Sequence, residues 1–92
     1  MASVLKKTIS CEIVNTKGLH ARAAARIVTT ASQFDSTVTV FHKDNVAPAT
    51  SLIKLLTLNA PKGSQLIFES EGNDCEIALS ALTQLVNSGF DE

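Results

Sequence analysis

Two apolar spacings alternate along the chain, and this alternation restricts the fold more than any other feature of the sequence. Apolar residues at every second position predict half-buried strands, and apolar residues three and four apart predict the buried side of a helix. The first spacing predicts strands at 8–14, 37–42 and 65–70, and the turn at 43–45 predicts that 46–47 pairs back as a short further strand. The second spacing predicts helices at 20–32 and from a capping residue at Asp74 to about Asn87, while an N-cap at Thr50 or Ser51 and the breakers at 59–63 predict a short helix at 52–56. The order β-α-β-β-α-β-α predicts an α+β fold, with three helices on one face of a four-stranded, mostly antiparallel sheet.

Size and composition are those of a small globular domain. The chain has 92 residues, 45% of them hydrophobic, so we expect a packed core and one domain over residues 1–92. The formal net charge of -1 argues against nucleic acid as an obligate partner, because duplex-binding proteins present a basic face. No apolar run is long enough to span a membrane. In Met1–Lys7 the charges follow the apolar residues, unlike in a signal peptide, which predicts a cytoplasmic protein.

Thiol and imidazole groups are sparse, and their spacing predicts no metal site and no cofactor. Cys11 and Cys75 are too few and too far apart to suggest zinc. The two cysteines could form one disulfide, but a reducing cytoplasm favours two half-buried thiols. Neither histidine has metal-ligand spacing, and His42, which closes a strand beside Lys43, is predicted to be an exposed structural residue.

The segment Gly18-Leu19-His20-Ala21-Arg22 contains the candidate chemical groups. It lies between a predicted strand and a predicted helix, where unpaired N–H groups and partial positive charge favour an anion such as phosphate. A neutral imidazole nitrogen of His20 is a competent nucleophile toward phosphorus. The N–H groups of Ala21 and Arg22, with the Arg22 guanidinium, would then bind the phosphoryl oxygens. The alternative is a loop or N-cap histidine without chemistry.

This motif resembles the active-site motif of the histidine-containing phosphocarrier proteins, the HPr family. The resemblance extends over almost the whole chain, since it includes the order of the elements, the segment Thr50–Leu55 and the Lys62-Gly63 turn before the last strand. It implies an HPr-like open-faced β-sandwich. The ending Phe90-Asp91-Glu92 resembles the nitrogen-related branch (NPr) more than the sugar-transport branch.

The resemblance implies that His20 is phosphorylated on Nδ1 by an Enzyme I-type donor that uses phosphoenolpyruvate. His20 then passes the phosphoryl group to a histidine of an EIIA-type acceptor, and Arg22 steadies the transferred group. We expect a monomer that acts in a regulatory, nitrogen-related phosphotransferase system. The chain departs from the family at Ala23, where proline is usual. Proline fixes φ in the first turn of a helix, whereas alanine is a strong helix former, so the fold is expected to survive.

The second predicted helix supplies candidate regulatory and docking residues. Ser51 is a natural N-cap, and in part of the resembling family the matching serine is phosphorylated by a regulatory kinase, so both interpretations stay open. The apolar residues after it exceed what a short helix buries, which predicts a docking surface. We assign Leu52, Leu55, Arg26 and Lys54 to that surface, with Leu52 as the exposed docking residue and Leu55 as a core residue.

Two other functions share these features. A regulatory binding module of this fold would act by contact, according to its phosphorylation state, and its activity would survive loss of His20. A small α/β enzyme such as a phosphatase would turn over a phosphate ester alone, but no other general acid or base lies near His20 in the sequence. A phosphocarrier needs no such group, because its partners supply most of the transfer machinery.

Overall fold

The chain folds in the predicted order of elements. The structure is a computed structural model that describes residues 5–92. Residues 1–4, the start of the segment predicted not to be a signal peptide, lie outside the described residues. The elements are β1 (Lys6–Glu12), α1 (Ala21–Ala31), β2 (Thr37–His42), β3 (Asn45–Pro48), α2 (Leu52–Leu56), β4 (Gln65–Glu71) and α3 (Cys75–Asn87).

The four strands form one sheet in the order β1-β4-β2-β3. All three pairings are antiparallel, which confirms the predicted sheet. β1 and β2 therefore run in the same direction with β4 between them, and a connection of this kind needs a crossover, which α1 provides. The crossover places the loop between β1 and α1 at one end of the sheet.

The three helices cover one face of the sheet, and the core lies between the two layers. α3 packs on β1 and β4, and α1 packs on α3 and α2. The largest fully buried side chains include Ile27, Leu55, Phe68, Leu82 and Phe90. Cys11 and Cys75 are free thiols, as predicted, but both are fully covered and not half-buried.

His42 is buried, so the prediction that it is exposed is wrong. It is the last residue of β2, whose side chains alternate in burial, and it takes an inward position with 5% of its surface exposed. Its Nδ1 lies 2.9 Å from the Leu58 carbonyl oxygen. Because a carbonyl oxygen can only accept, Nδ1 carries the proton and donates it. This bond satisfies the buried ring and joins β2 to the segment after α2.

Asp74 precedes α3 but makes no side-chain capping bond to it, which corrects the predicted cap. Its carboxylate accepts hydrogen bonds from the N–H groups of Asp35 (2.8 Å) and Ser36 (2.9 Å) and from the Ser36 hydroxyl. The Ser36 hydroxyl, followed by these N–H groups, holds the pKa of Asp74 below its usual value because each bond favours the ionised form. The carboxylate thus ties the α1–β2 loop to the start of α3.

The Asp74 contacts predict a pH-dependent contribution to stability. A carboxyl group whose pKa is lowered by folding stabilises the folded chain above its unfolded pKa, which is about 4. That stabilisation is lost as the pH falls through the folded pKa. Asp74→Asn should therefore melt at a lower temperature than the wild type near neutral pH, and the difference should shrink in acid. Melting curves recorded across this range measure the effect.

Asp44→Asn is the matched control, because Asp44 is an exposed carboxylate in the turn between β2 and β3. We expect this variant to melt close to the wild type throughout. An equal loss in both variants, or a difference between Asp74→Asn and the wild type that does not change with pH, would contradict the interpretation.

Candidate functional site

Gly18 allows the loop after β1 to lie directly against the chain that follows α2. Its φ is 66°, in the left-handed region that favours glycine. A Cβ here would lie 2.6 Å from the Ala60 carbonyl oxygen and 2.9 Å from the Pro61 Cα, and both are backbone atoms. The Leu19 N–H donates to the same Ala60 oxygen at 2.8 Å, and the Leu19 side chain is buried. These contacts fix the position of the next residue, His20.

His20 is the N-cap of α1. Its carbonyl oxygen accepts a hydrogen bond from the Ala24 N–H at 2.9 Å, and its ring Nδ1 accepts one from the Arg22 N–H at 3.3 Å. An accepting nitrogen presents a lone pair, so the neutral ring carries its proton on Nε2. The N-cap interpretation and the nucleophile hypothesis are thus compatible, because the capping nitrogen, Nδ1, is the ring nitrogen that carries the lone pair.

The other ring nitrogen of His20, Nε2, contacts the Glu92 carboxylate. Both side chains are largely covered, with 25% of His20 and 18% of Glu92 exposed. The second Glu92 oxygen accepts a hydrogen bond from Asn15 Nδ2 at 3.1 Å. Partial burial acts to raise the pKa of Glu92, but the Asn15 hydrogen bond, the contact with the His20 ring and the nearby Arg22 charge outweigh it and hold the pKa below its usual value.

Cationic side chains surround the imidazole. Lys17 and Arg22 are exposed, and neither forms an ion pair within residues 5–92. A surface cavity of about 540 Å³ is lined by both cations together with Asn15 and Glu92. A second cavity, of about 440 Å³, is lined by Lys17 and His20. Two cations and the N–H groups at the start of α1 make this an anion-accepting surface.

The sequence analysis missed Asn15, Lys17 and Glu92. Asn15 and Glu92 are 77 residues apart in the chain, so no local pattern connects them. One signal was present: a glycine just after a predicted helix, here Gly89, is typical of a left-handed residue that reverses the chain. Such a reversal is what brings the acidic ending back toward the loop.

The residues that α2 exposes match the sequence prediction in part. Ser51 caps the helix, since its Oγ accepts from the Lys54 N–H at 3.3 Å, which confirms the N-cap interpretation. Leu52 is 39% exposed and Ile53 is 72% exposed, whereas Leu55 is fully buried. The predictions that Leu52 is exposed and that Leu55 is a core residue are therefore confirmed, and only the inclusion of Leu55 in the docking surface is wrong. Ile53, which the sequence analysis did not assign, is exposed in its place.

α2 lies next to the part of the molecule that holds His20. α1 packs on α2, and Ala60, which follows α2, is bonded to the loop before His20. Arg26 on α1 is half-buried and Lys54 on α2 is exposed. Neither side chain forms an ion pair in the described part of the chain, 5–92.

Ala23, at the position where the family usually has proline, is fully buried in the first turn of α1. The helix runs without interruption from Ala21, as the high helix propensity of alanine predicts.

The described residues, 5–92, contain no group of three or more His, Cys, Asp or Glu side chains placed to hold a metal ion. In the same range, every helix is too short or too polar to cross a membrane.

Comparisons with known proteins identify the family of the chain. A family model described as the PTS HPr component phosphorylation site matches residues 7–88. The phosphocarrier protein HPr of Neisseria meningitidis serogroup A is 43% identical over 97% of this chain and 98% of that protein. The phosphocarrier protein NPr of Escherichia coli is 40% identical over 96% of this chain and 97% of that protein. The multiphosphoryl transfer protein of Vibrio cholerae is 40% identical over 92% of this chain, which spans 22% of that longer protein.

The solved structures give the same result for the fold. The crystal structure of HPr-C-His from Thermoanaerobacter tengcongensis superimposes with a TM-score of 0.88 at 38% identity, over 94% of this chain and 97% of that chain. Relatives named HPr and NPr match to a similar degree, so these identities do not separate the two branches. The family model, the identity over nearly the full length and the shared fold establish that the chain belongs to the HPr family of phosphocarrier proteins.

Proposed function

We propose that His20 accepts a phosphoryl group on Nδ1 from an Enzyme I-type protein, with phosphoenolpyruvate as the ultimate donor, and passes it to a histidine of an EIIA-type protein. The observation that carries this proposal is the Nδ1 lone pair, which faces the Arg22 N–H at the start of α1. Membership of the HPr family supports it. The similarity to part of a multiphosphoryl transfer protein supports a donor of the Enzyme I type.

Transfer in this geometry requires no proton movement. The Nδ1 lone pair attacks phosphorus in line with its bond to the donor nitrogen, and the N–P bond to His20 forms as the donor bond breaks. The donor nitrogen keeps the electron pair of the broken bond. Nε2 retains its proton, so the phosphorylated ring becomes a cation. Delivery to the acceptor histidine is the same step in reverse, and the electron pair returns to Nδ1.

Arg22 contributes to this step in two ways. Its N–H, which now donates to Nδ1, would donate to a phosphoryl oxygen once Nδ1 is bonded to phosphorus, and the Ala21 N–H lies in the same first turn. Its exposed guanidinium would supply charge-assisted hydrogen bonds to the same group. These donors stabilise a transferred group but do not activate a water molecule. A carrier, with the remaining machinery on its partners, therefore suits the site.

We assign the acceptor to a regulatory, nitrogen-related system. The ending Phe90-Asp91-Glu92 and the similarity to proteins named NPr support this assignment.

Because a relative named HPr is 43% identical, the two branches have to be compared directly. The phosphorylated chain is mixed in parallel reactions with an EIIA-type protein of the nitrogen-related system and with one of the sugar-transport system, and the rate of phosphoryl transfer to each is measured. Faster transfer to the nitrogen-related acceptor supports the assignment, and faster transfer to the other would overturn it.

The exposed pair Leu52–Ile53 forms the docking patch of this proposal. Exposed apolar side chains that lie together are typical of interaction sites. Lys54 beside the pair and Arg26 on the neighbouring helix add a basic rim that favours acidic partners.

We also propose that Ser51 is a regulatory phosphorylation site, used by a serine kinase and a phosphatase. Its hydroxyl caps α2 directly before the docking patch. A phosphate there would add about two negative charges beside Leu52 and Ile53, and it would repel an acidic partner.

His20→Ala should take up no phosphoryl group from phosphoenolpyruvate and an Enzyme I-type donor, because the nucleophilic nitrogen is gone. His42→Gln is the matched control, since it removes the other histidine and its amide can still donate to the Leu58 oxygen. Radiolabelled phosphoenolpyruvate should give an acid-labile adduct in the wild type and in His42→Gln. Label on His20→Ala would overturn the proposal, and turnover of a phosphate ester by the chain alone would indicate an enzyme.

Ile53→Ser should raise the KM for the carrier in the donor reaction by about tenfold with little change in kcat. Burial of an isoleucine side chain contributes about 1.5–3 kcal/mol, and a polar replacement loses most of it. Ile77→Ser is the matched control, because Ile77 is 64% exposed on α3. An equal rise in KM for both variants, or none for Ile53→Ser, would contradict the docking patch.

Ser51→Ala should lower the free energy of unfolding by about 1 kcal/mol, because the N-cap hydrogen bond is lost. Urea unfolding measures this change. Kinase and ATP should give an acid-stable adduct on the wild type that Ser51→Ala lacks. If the wild type forms no acid-stable adduct with such a kinase, the regulatory role of Ser51 is wrong and the N-cap role alone remains.

A further inference from the structure

The proposed phosphotransfer leaves one contact unused, the Glu92 carboxylate on the far side of the His20 ring. We propose that Glu92 is a positioning residue, which keeps the proton of His20 on Nε2 and so keeps the Nδ1 lone pair directed at the incoming phosphoryl group. This inference rests on the proposed function of His20. It assigns a role to a residue that does not itself touch the transferred group.

The chain after α3 is built to hold Glu92 at this place. Gly89 has a φ of 69° and Phe90 a φ of 60°, so the chain reverses directly after the helix. The Phe90 N–H donates to the Leu85 carbonyl oxygen at 2.8 Å, and the Phe90 side chain is fully buried. A left-handed conformation is costly for a bulky residue, and burial of the aromatic ring offsets that cost. Phe90 thus anchors the segment in the core two residues before Glu92.

Ser88 and Asp91 close the reversal. The Ser88 Oγ lies 2.8 Å from the Leu85 carbonyl oxygen and 3.0 Å from Asp91 Oδ1, which share its single proton, and it accepts from the Asp91 N–H at 3.3 Å. The Glu92 N–H donates to the Gly89 carbonyl oxygen at 3.3 Å. Every residue from Ser88 to Glu92 therefore has a backbone or side-chain bond that keeps the segment folded back on the helix.

Asn15 couples this segment to the loop that carries His20. Its Nδ2 donates to the Gly18 carbonyl oxygen at 2.9 Å and to Glu92 Oε1 at 3.1 Å. One amide thus holds the loop and the carboxylate together. Glu92 is therefore fixed relative to the ring, and not only to its own helix.

The charges around the ring suit this role. The charged side chains next to His20 are Lys17 from the loop, Arg22 from α1 and Glu92. Glu92 is the anion among them, and the Asn15 hydrogen bond with the nearby positive charge keeps it ionised at neutral pH despite its partial burial. An ionised carboxylate can only accept, so Nε2 must donate, and a neutral ring then has its lone pair on Nδ1.

The same contact favours the phosphorylated carrier. When the bond from Nδ1 to phosphorus forms and the donor nitrogen departs with its electron pair, the ring keeps the Nε2 proton and becomes positively charged. Glu92 lies against that nitrogen and offsets the new charge. No proton has to leave or arrive during either transfer.

Glu92→Ala tests the inference, and Asp91→Asn is the matched control. Asp91→Asn removes a neighbouring negative charge, while its Oδ1 can still accept from Ser88. Nitrogen-15 NMR of the imidazole should show a protected Nε2–H in the wild type and in Asp91→Asn, and this signal should be lost in Glu92→Ala. The kcat for phosphorylation of Glu92→Ala should fall by about tenfold with KM unchanged, since carboxylates that orient histidines in metal sites are worth about 10–100-fold and this contact is of the same kind.

Glu92→Gln separates orientation from charge. Its amide oxygen can accept from Nε2, so the NMR signal should return, and kcat should lie between those of Glu92→Ala and the wild type. The inference is overturned if Glu92→Ala keeps the protected Nε2–H, if its kcat equals that of the wild type, or if Asp91→Asn shows the same losses. The NMR measurement needs no donor protein, so a wild type that shows the signal but accepts no phosphoryl group would refute the proposed function and not the positioning contact.

Discussion

The close approach of Gly18 to the backbone of Ala60 and Pro61 is the constraint on which the site depends. A Cβ at Gly18 would lie 2.6 Å from the Ala60 oxygen, so a side chain here would push the loop away from its support. The Leu19 N–H bond to the same oxygen would lengthen, and His20 would lose its place as the N-cap of α1. The direction of the His20 Nδ1 lone pair therefore depends on a contact made two residues earlier.

The segment that supports Gly18 also connects the two halves of the proposed surface. It begins just after α2, and near its start the carbonyl oxygen of Leu58 accepts a hydrogen bond from the buried His42 at the end of β2. Farther along, Gly63 and Ser64 exchange backbone hydrogen bonds with Ile13, just after β1. The sheet thus fixes one segment from two strands, and that segment positions both the His20 loop and the helix that exposes Ile53. The proposed phosphotransfer site and the proposed docking patch are therefore both positioned by the segment that follows α2.

The sequence predicted the elements well because their signals are local. Apolar spacing, helix caps and turn residues located every strand and helix, and the motif around His20 marked the candidate site. The predictions from the sequence were wrong where the burial or the hydrogen bonds of a residue depend on residues far away in the chain. His42 looked like a polar residue at a strand end, and only the position of Leu58 explains its burial. Asp74 looked like a cap, but its bonds go to residues 38 and 39 positions earlier in the chain. The exposure of Ile53 was not predicted, because a helix of five residues shows no clear period.

The alanine at position 23 is explained by how many contacts already fix the start of α1. Proline stabilises a first turn by restricting φ before the helix forms. In this chain, contacts of the neighbouring residues fix the first turn of α1. The Leu19 N–H donates to the Ala60 carbonyl oxygen, and the Leu19 side chain is buried. His20 caps the helix with its carbonyl oxygen and its ring, and Ala23 is fully buried. Glu92 adds a contact to the far side of the same ring. Because these contacts already fix the start of α1, the helix does not depend on a proline to restrict φ in its first turn. Alanine at position 23 is therefore compatible with a fixed position of the His20 ring.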